Sequence, residues 1–163
     1  MGEVGPAAVE VGPIRADEIE ALFALFAGIV ARREGYPHLP PLTREVFDAT
    51  WVQPVSAVVA ARIAGEFVGA YYLKPNFPGR GAHIANAGYL VDPRFRRRGI
   101  ARALLEDTIG RAPTLGFDAV QFNFVFADNP ARPLYESLGW REIGRIPDAV
   151  EGGDAVIYWR AVG

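Results

Sequence analysis

Tyr89-Leu-Val-Asp-Pro-Arg-Phe-Arg-Arg-Arg-Gly-Ile-Ala-Arg-Ala-Leu-Leu105 is the stretch on which the reading of this chain turns. Its apolar opening reads as the end of a strand, closed by Asp92-Pro93. Its second half, from Gly99, reads as the start of a helix with Ile100, Ala103, Leu104 and, further on, Ile109 along one face. Arg94, Arg96, Arg97 and Arg98 crowd the loop between them. A helix start leaves backbone N–H groups without partners and carries roughly half a positive charge, so it is a ready site for phosphate. Gly99 and Ala101 keep that backbone approachable, with Ile100 between them, while Arg96, Arg97, Arg98 and Arg102 supply charge-assisted donors. The bland alternative is a solvated basic turn. Glycine costs a helix about 1 kcal/mol relative to alanine, so Gly99 beside this basic spacing favours close approach of an anion.

Outward from this segment the chain alternates elements. On the N-terminal side, Ala7–Pro13 reads as a strand and Ala16–Arg33 as a helix, with Ile19, Leu22, Phe23, Phe26, Ile29 and Val30 at helical spacing. Gly35, Pro37, Pro40 and Pro41 end that helix. Thr43 caps a shorter one that carries Val46 and Phe47 and closes at Gln53-Pro54. Val55–Ile63 and Glu66–Leu73 form a hairpin turned at Ala64-Gly65, Pro75–Gly81 is a loop, and His83–Val91 is the strand that feeds the quoted segment. On the C-terminal side the helix runs for about 16 residues to a left-handed cap at Gly116. Asp118–Phe126 is then a strand, Ala131–Leu138 a short helix stopped by Gly139, and Trp140–Ile146 and Ala155–Val162 are the last strands. The unit from His83 to Phe126 implies a parallel or splayed pairing at the sheet centre, flanked by antiparallel strands. The expected class is α+β: a mixed, mostly antiparallel seven-stranded sheet with about four helices, in one domain over residues 1–163.

Bulk properties narrow the function classes. The 163 residues are half hydrophobic and 22% charged, the balance of a folded globular domain. A net charge of −2 gives no global attraction to nucleic acid or to an anionic membrane. The chain has no cysteine, which excludes disulfides and thiolate zinc sites, and with only His38 and His83 no metal site is expected. Met1–Val11 carries Glu3 and Glu10 without a basic and then apolar run, and no apolar stretch approaches the ~20 residues of a membrane span. A cytoplasmic protein is expected.

Arg96-x-x-Gly99-x-Ala101 resembles the R/Q-x-x-G-x-G/A signature with which the GNAT acetyltransferase superfamily holds the diphosphate of coenzyme A. Ala127-Asp-Asn-Pro-Ala-Arg-Pro-Leu-Tyr-Glu-Ser-Leu-Gly-Trp140 looks like that family's N-x-x-A-x-x-L-Y-x-x-x-G-F/W segment. Ala70–Tyr89, Gln121–Val125 and Asp154–Tyr158 extend the resemblance over most of the chain, toward a branch of small GNAT enzymes. With Tyr135 on the family tyrosine, Ala131 also matches. Asp128 then takes the place of the family asparagine, with Asn129 one residue closer to the tyrosine. Pro133 within the short helix is a further departure, because it lacks a backbone donor.

The resemblance implies acetyl-CoA as cofactor and transfer of its acetyl group to a primary amine. It places Tyr135 near the cofactor sulfur as proton donor, and the strand end at Leu90 and Val91 beside the reacting carbonyl and the pantetheine arm. Arg96 to Arg102 would hold the diphosphate, with Asn129 assisting. A free alkylamine is protonated at neutral pH, its reference value being about 10.4, so a proton acceptor is needed. His83, Asn86 and Asn123 lie on strands where apolar residues are expected, and His83 alone of the three titrates near neutrality. Asn123 is assigned to the acceptor pocket. Tyr36, Trp51, Tyr72 and Phe77 are candidate aromatic walls around a small-molecule amine, and surface packing is the equal alternative for each. Two rival readings stay open: a coenzyme A-binding module without turnover, and a nucleic-acid binder using the arginine patch. Exposed edge strands at the C-terminus make a homodimer a candidate assembly.

Overall fold

The computed structural model describes residues 7–53 and 55–163, so the readings that touch residues 1–6 and Pro54 lie outside the described residues. β-Branched and aromatic residues build a hairpin of β2 (Ala57–Ile63) and β3 (Glu66–Pro75). Ala64 (φ 49°) and Gly65 (φ 80°) both take the left-handed conformation that a tight hairpin turn requires. With β1 (Val9–Pro13), β4 (Ile84–Val91), β5 (Ala119–Phe126), β6 (Arg141–Val150) and β7 (Gly153–Ala161), they form one seven-stranded sheet of order β1-β2-β3-β4-β5-β7-β6. Every pairing is antiparallel except β4 with β5, which is parallel and confined to Ile84–Asn86 against Ala119–Gln121. Beyond Asn86 and Gln121 the two strands part, and the sheet is split along its C-terminal half.

Helices cover both faces. α1 (Ile19–Ala31), preceded by a 3-10 turn at Ala16–Glu18, and α2 (Arg44–Phe47) lie on one face, where Leu22, Phe26, Phe47 and Trp51 bury against Ala70, Tyr72 and Leu90. α3 (Ile100–Thr114) packs Ile100, Leu104 and Leu105 on the other face with Val59, Tyr71, Leu73, Val120 and Phe122, and α4 (Arg132–Ser137) adds Leu134 and Tyr135 at its border. Successive residues of β3 thus serve opposite cores, which is why its sequence is apolar at consecutive positions. Glu18 and Arg62 form a buried ion pair that ties the start of α1 to β2, and Arg62 also donates to the Pro13 carbonyl.

The elements match the sequence reading with shifts at their ends. α1 stops at Ala31, and α2 continues into a π-helical turn at Asp48–Val52 that buries Trp51. Gly116 (φ 90°) follows α3 as expected. Pro133 sits in the first turn of α4, where its missing N–H would have no intrahelical partner, so it does not disturb the helix. The C-terminal strands are not both edges: β7 lies between β5 and β6, and only β6 is free. Among the described residues, no helix is long and apolar enough to cross a membrane.

Candidate functional site

The split between β4 and β5 exposes backbone in the middle of the sheet. The Asp92 N–H donates to the Val68 carbonyl on β3, and the Asp118 N–H reaches the His83 carbonyl from the β5 side. Strand alternation then turns the even-numbered peptide groups of β4 to β3 and the odd-numbered ones to β5. Past Asn86 the odd ones face the gap. The Tyr89 carbonyl there accepts a hydrogen bond from the Tyr36 hydroxyl at 3.0 Å. The Val91 peptide has the same outlook, whereas Leu90 bonds toward β3 and buries its side chain among the α1 residues. Of the two strand-end positions named from sequence, Val91 is the one whose N–H addresses the gap.

The mouth of α3 opens beside it. Gly99 caps the helix with φ 75° and ψ 14°, no side chain caps its N–H groups, and its first turn holds no acidic residue. No atom lies within 4 Å of where a Gly99 Cβ would sit. Glycine here therefore answers the left-handed backbone and leaves open space before the amides, rather than relieving a crowd. Arg97 also has positive φ (64°), which folds the basic loop around the helix start. A groove of about 760 Å³ runs from this mouth to α4, within the range of small-molecule sites. Leu90, Val91, Arg96, Arg97, Gly99, Ile100, Ala101, Arg102, Asn129 and Tyr135 all line it. Arg98 does not; its guanidinium lies 5.4 Å from the centroid of the Phe95 ring. Arg96 pairs with Glu34 across the groove at 2.8 Å, and Arg94 is held by Asp92.

A smaller cavity of about 240 Å³ adjoins the groove and shares Gly35, Tyr36, Tyr89, Asn129 and Tyr135 with it. Tyr72, Asn86 and Asn123, read from sequence as acceptor-side residues, all line it. The Tyr72 hydroxyl donates to Asn86 Oδ1 (3.3 Å), and Asn86 Nδ2 donates to the Gln121 carbonyl (3.2 Å), where the strands begin to part. Asn123 is locked in a reciprocal amide pair with Asn76 (3.0 and 2.6 Å) and also accepts from Gln121 Nε2. Gly88 makes room for this arrangement, since a Cβ there would stand 2.6 Å from the Tyr72 ring. Of the other aromatic candidates, Tyr36 lines the cavity. Trp51 is core, packed edge-on against Tyr72, and Phe77 is an exposed loop residue.

His83 does not join this constellation. It is exposed at the turn before β4, its Nδ1 lies 3.0 Å from the Arg80 carbonyl, and it lines none of these cavities. The histidine that lines the inner cavity is His38, on the segment between α1 and α2, weighed from sequence only as a possible metal ligand. Its ring packs against Phe26 (5.2 Å) and Tyr36 (5.8 Å), and its Nδ1 is buried without a hydrogen-bond partner. Burial, with the nearby Lys74 charge, lowers its pKa below the usual 6.5. The signal available was proximity to Tyr36, already named as a candidate wall.

Tyr135 stands on α4 edge-on to Phe122 (5.0 Å) and Tyr158 (5.7 Å), and burial pushes its hydroxyl up to about 12. Asn129 opens α4 by accepting the Ala131 N–H at 2.9 Å and lines both cavities, while Asp128 lines the groove but not the inner cavity. The shortened segment thus leaves an asparagine at the junction. An outer cavity of about 1090 Å³ meets the inner one at Tyr36, Pro37 and His38, and carries Asp128, Asp148, Glu151 and Asp154 against a lone Arg33.

Residues 21–140 match the sequence pattern of the acetyltransferase (GNAT) family. The chain is 46% identical over 83 residues to N-acetyltransferase aca1 of Schizosaccharomyces pombe, which covers 50% of this chain and 40% of that one. It is 33% identical over 84 residues to the L-amino acid N-acetyltransferase AaaT of Escherichia coli, covering 50% and 51%. The chain thus spans about half or less of the length of these curated relatives. Among solved structures, a GCN5-related N-acetyltransferase from Kribbella flavida superimposes with a TM-score of 0.87 at 35% identity, over 94% of this chain and 98% of that one.

Proposed function

The chain belongs to the acetyltransferase (GNAT) family, and we propose that it transfers the acetyl group of acetyl-CoA to the primary amine of a small molecule bound in the same complex. One observation carries this reading: the uncapped mouth of α3 and the odd-numbered edge of β4 that β5 leaves line a single groove that opens at Tyr135 onto a second cavity.

Bound acetyl-CoA supplies an activated carbonyl and a thiol leaving group. The N–H groups of Ile100, Ala101 and Arg102 hold the diphosphate, with Arg96 and Arg97 beside them. The Val91 peptide, with that of Tyr89 whose carbonyl already accepts from Tyr36, would hold the pantetheine arm, and the Val91 N–H would meet charge developing on the carbonyl oxygen. Tyr135, held at about 12, is fully protonated at neutral pH and donates to the departing sulfur. An ordinary thiol titrates near roughly 8.5, so complete transfer of the phenolic proton would be uphill, and Tyr135 acts by hydrogen bonding. The acceptor amine enters past the acidic outer cavity, where Asp128, Asp148 and Glu151 favour a cation and Asp154 is paired with Arg145, and lies in the inner cavity beside Tyr72, Asn86 and Asn123.

Calorimetry with acetyl-CoA, followed by thiol release across a panel of small amines, tests the reading. Binding without turnover of any amine would leave a coenzyme A-binding module; no binding would remove the reading altogether. A homodimer through the C-terminal edge would have to use β6, and light scattering tests it.

A further inference from the structure

The acceptor has to lose protons, and the inner cavity holds few groups that accept one. Among the described residues lining it there is no carboxylate. Its phenols are Tyr36, Tyr72, Tyr89 and Tyr135; burial pushes Tyr36 and Tyr89 well above 10 and holds Tyr72 and Tyr135 at about 12. All four stay protonated. Asn86 and Asn123 are amides already engaged with Tyr72, Gln121 and Asn76. That leaves the imidazole of His38, which lines both the inner cavity and the outer one and so joins the acceptor site to solvent.

We infer that His38 is the proton acceptor for the amine substrate, taking one proton from its ammonium group and passing it to water through the outer cavity. The inference rests on the proposed acetyl transfer. The protons balance as follows. The ammonium gives one proton to the imidazole in an uphill pre-equilibrium, since an alkylammonium titrates at about 10.4, and release of that proton to water at pH 7 and the acyl transfer that follows draw it forward. The neutral amine nitrogen then bonds to the acetyl carbon while the carbon–sulfur bond breaks. The second proton, shed by that nitrogen, ends on the sulfur. His38 finally returns its own proton to solvent and is neutral for the next turnover.

The surroundings suit the role. Phe26 and Tyr36 fix the ring from α1 and from its own segment, Lys74 and Tyr72 approach from β3, and Tyr135 lines the same cavity from α4. Arg33, Asp128, Asp148, Glu151 and Asp154 lie around the outer cavity. Burial and Lys74 keep the imidazole neutral at pH 7, the form that accepts a proton.

His38→Gln keeps side-chain volume and hydrogen bonding but not basicity. The test measures kcat/KM from pH 6 to 10 for wild type and His38→Gln, with acetyl-CoA and the fastest acceptor among putrescine, benzylamine and L-lysine. Hydroxylamine, neutral at pH 7, is the second acceptor. The alkylamine rate at pH 7 should fall roughly a hundredfold in the variant. It should climb with pH toward the wild-type value as the amine itself deprotonates, while the hydroxylamine rate and acetyl-CoA affinity stay near wild type. An equal loss at every pH marks a packing role and overturns the inference, as does an unchanged alkylamine rate at pH 7. Wild-type protein that acetylates no amine would sink the proposed function and this inference with it; an active wild type with an indifferent variant sinks the inference alone.

Discussion

The two ends of the cleft are built on different principles. The α3 mouth presents backbone: peptide N–H groups left over by a helix start, a glycine in left-handed conformation, and the β4 edge that β5 leaves. The inner cavity presents side chains carried by separate segments: His38 between the first two helices, Tyr72 on β3, Asn86 on β4, Asn123 on β5 and Tyr135 on α4. Backbone groups are the same in every sequence, so the first end is suited to a ligand common to a whole family. Side chains vary freely on a fixed frame, so the second end is where a particular acceptor is chosen.

If this division is right, substitutions at one end should leave the constant of the other untouched. Gly99→Glu should have the largest effect. It forces a non-glycine residue to φ 75°, at roughly 1–2 kcal/mol, and sets a carboxylate where the diphosphate lies. Acetyl-CoA affinity by calorimetry should fall about a hundredfold or more, each tenfold being about 1.4 kcal/mol. Retained binding would break the comparison at its first term. Tyr135→Phe should lower kcat roughly tenfold or more with acetyl-CoA affinity little changed, because the lost hydroxyl serves the departing sulfur. Steady-state kinetics with unaltered kcat would remove the assignment.

The remaining two sharpen the other side. Gly88→Ala drives a methyl to 2.6 Å from the Tyr72 ring, which must swing away from Asn86. The acceptor KM should rise about fivefold with calorimetric acetyl-CoA affinity intact. Asn123→Ala frees Asn76 and Gln121 at an exposed position, where a lost hydrogen bond is worth about 1 kcal/mol or less. A rise of about twofold to fivefold in acceptor KM is expected, and an equal change in cofactor affinity would blur the division.

What could be read from the residues follows this same boundary. Periodicity marked each strand and long helix to within a few positions, and the strand–arginine–glycine–helix segment disclosed the uncapped helix start, because hydrogen bonding there is settled within a few neighbouring residues. Arg98 alone of Arg96, Arg97, Arg98 and Arg102 does not line the groove, since which side chain of a basic turn folds in depends on the turn's own path, here bent by Arg97 at positive φ. The alternation of β4, by contrast, told Val91 from Leu90 only once β3 and β5 were known to flank it.

The amino-acid sequence on its own determined the order of the elements, the family resemblance and the glycine-led helix start ringed by arginines. Tertiary structure alone decided that His38 and not His83 lines the inner cavity, that Trp51 is core while Tyr36 lines that cavity too, and that the two cavities meet at Tyr135. The physical reason is range. Backbone sites are written in a few consecutive residues, whereas a side-chain pocket exists only where distant segments are brought together, and here that place is the gap opened when β4 and β5 part after Asn86 and Gln121.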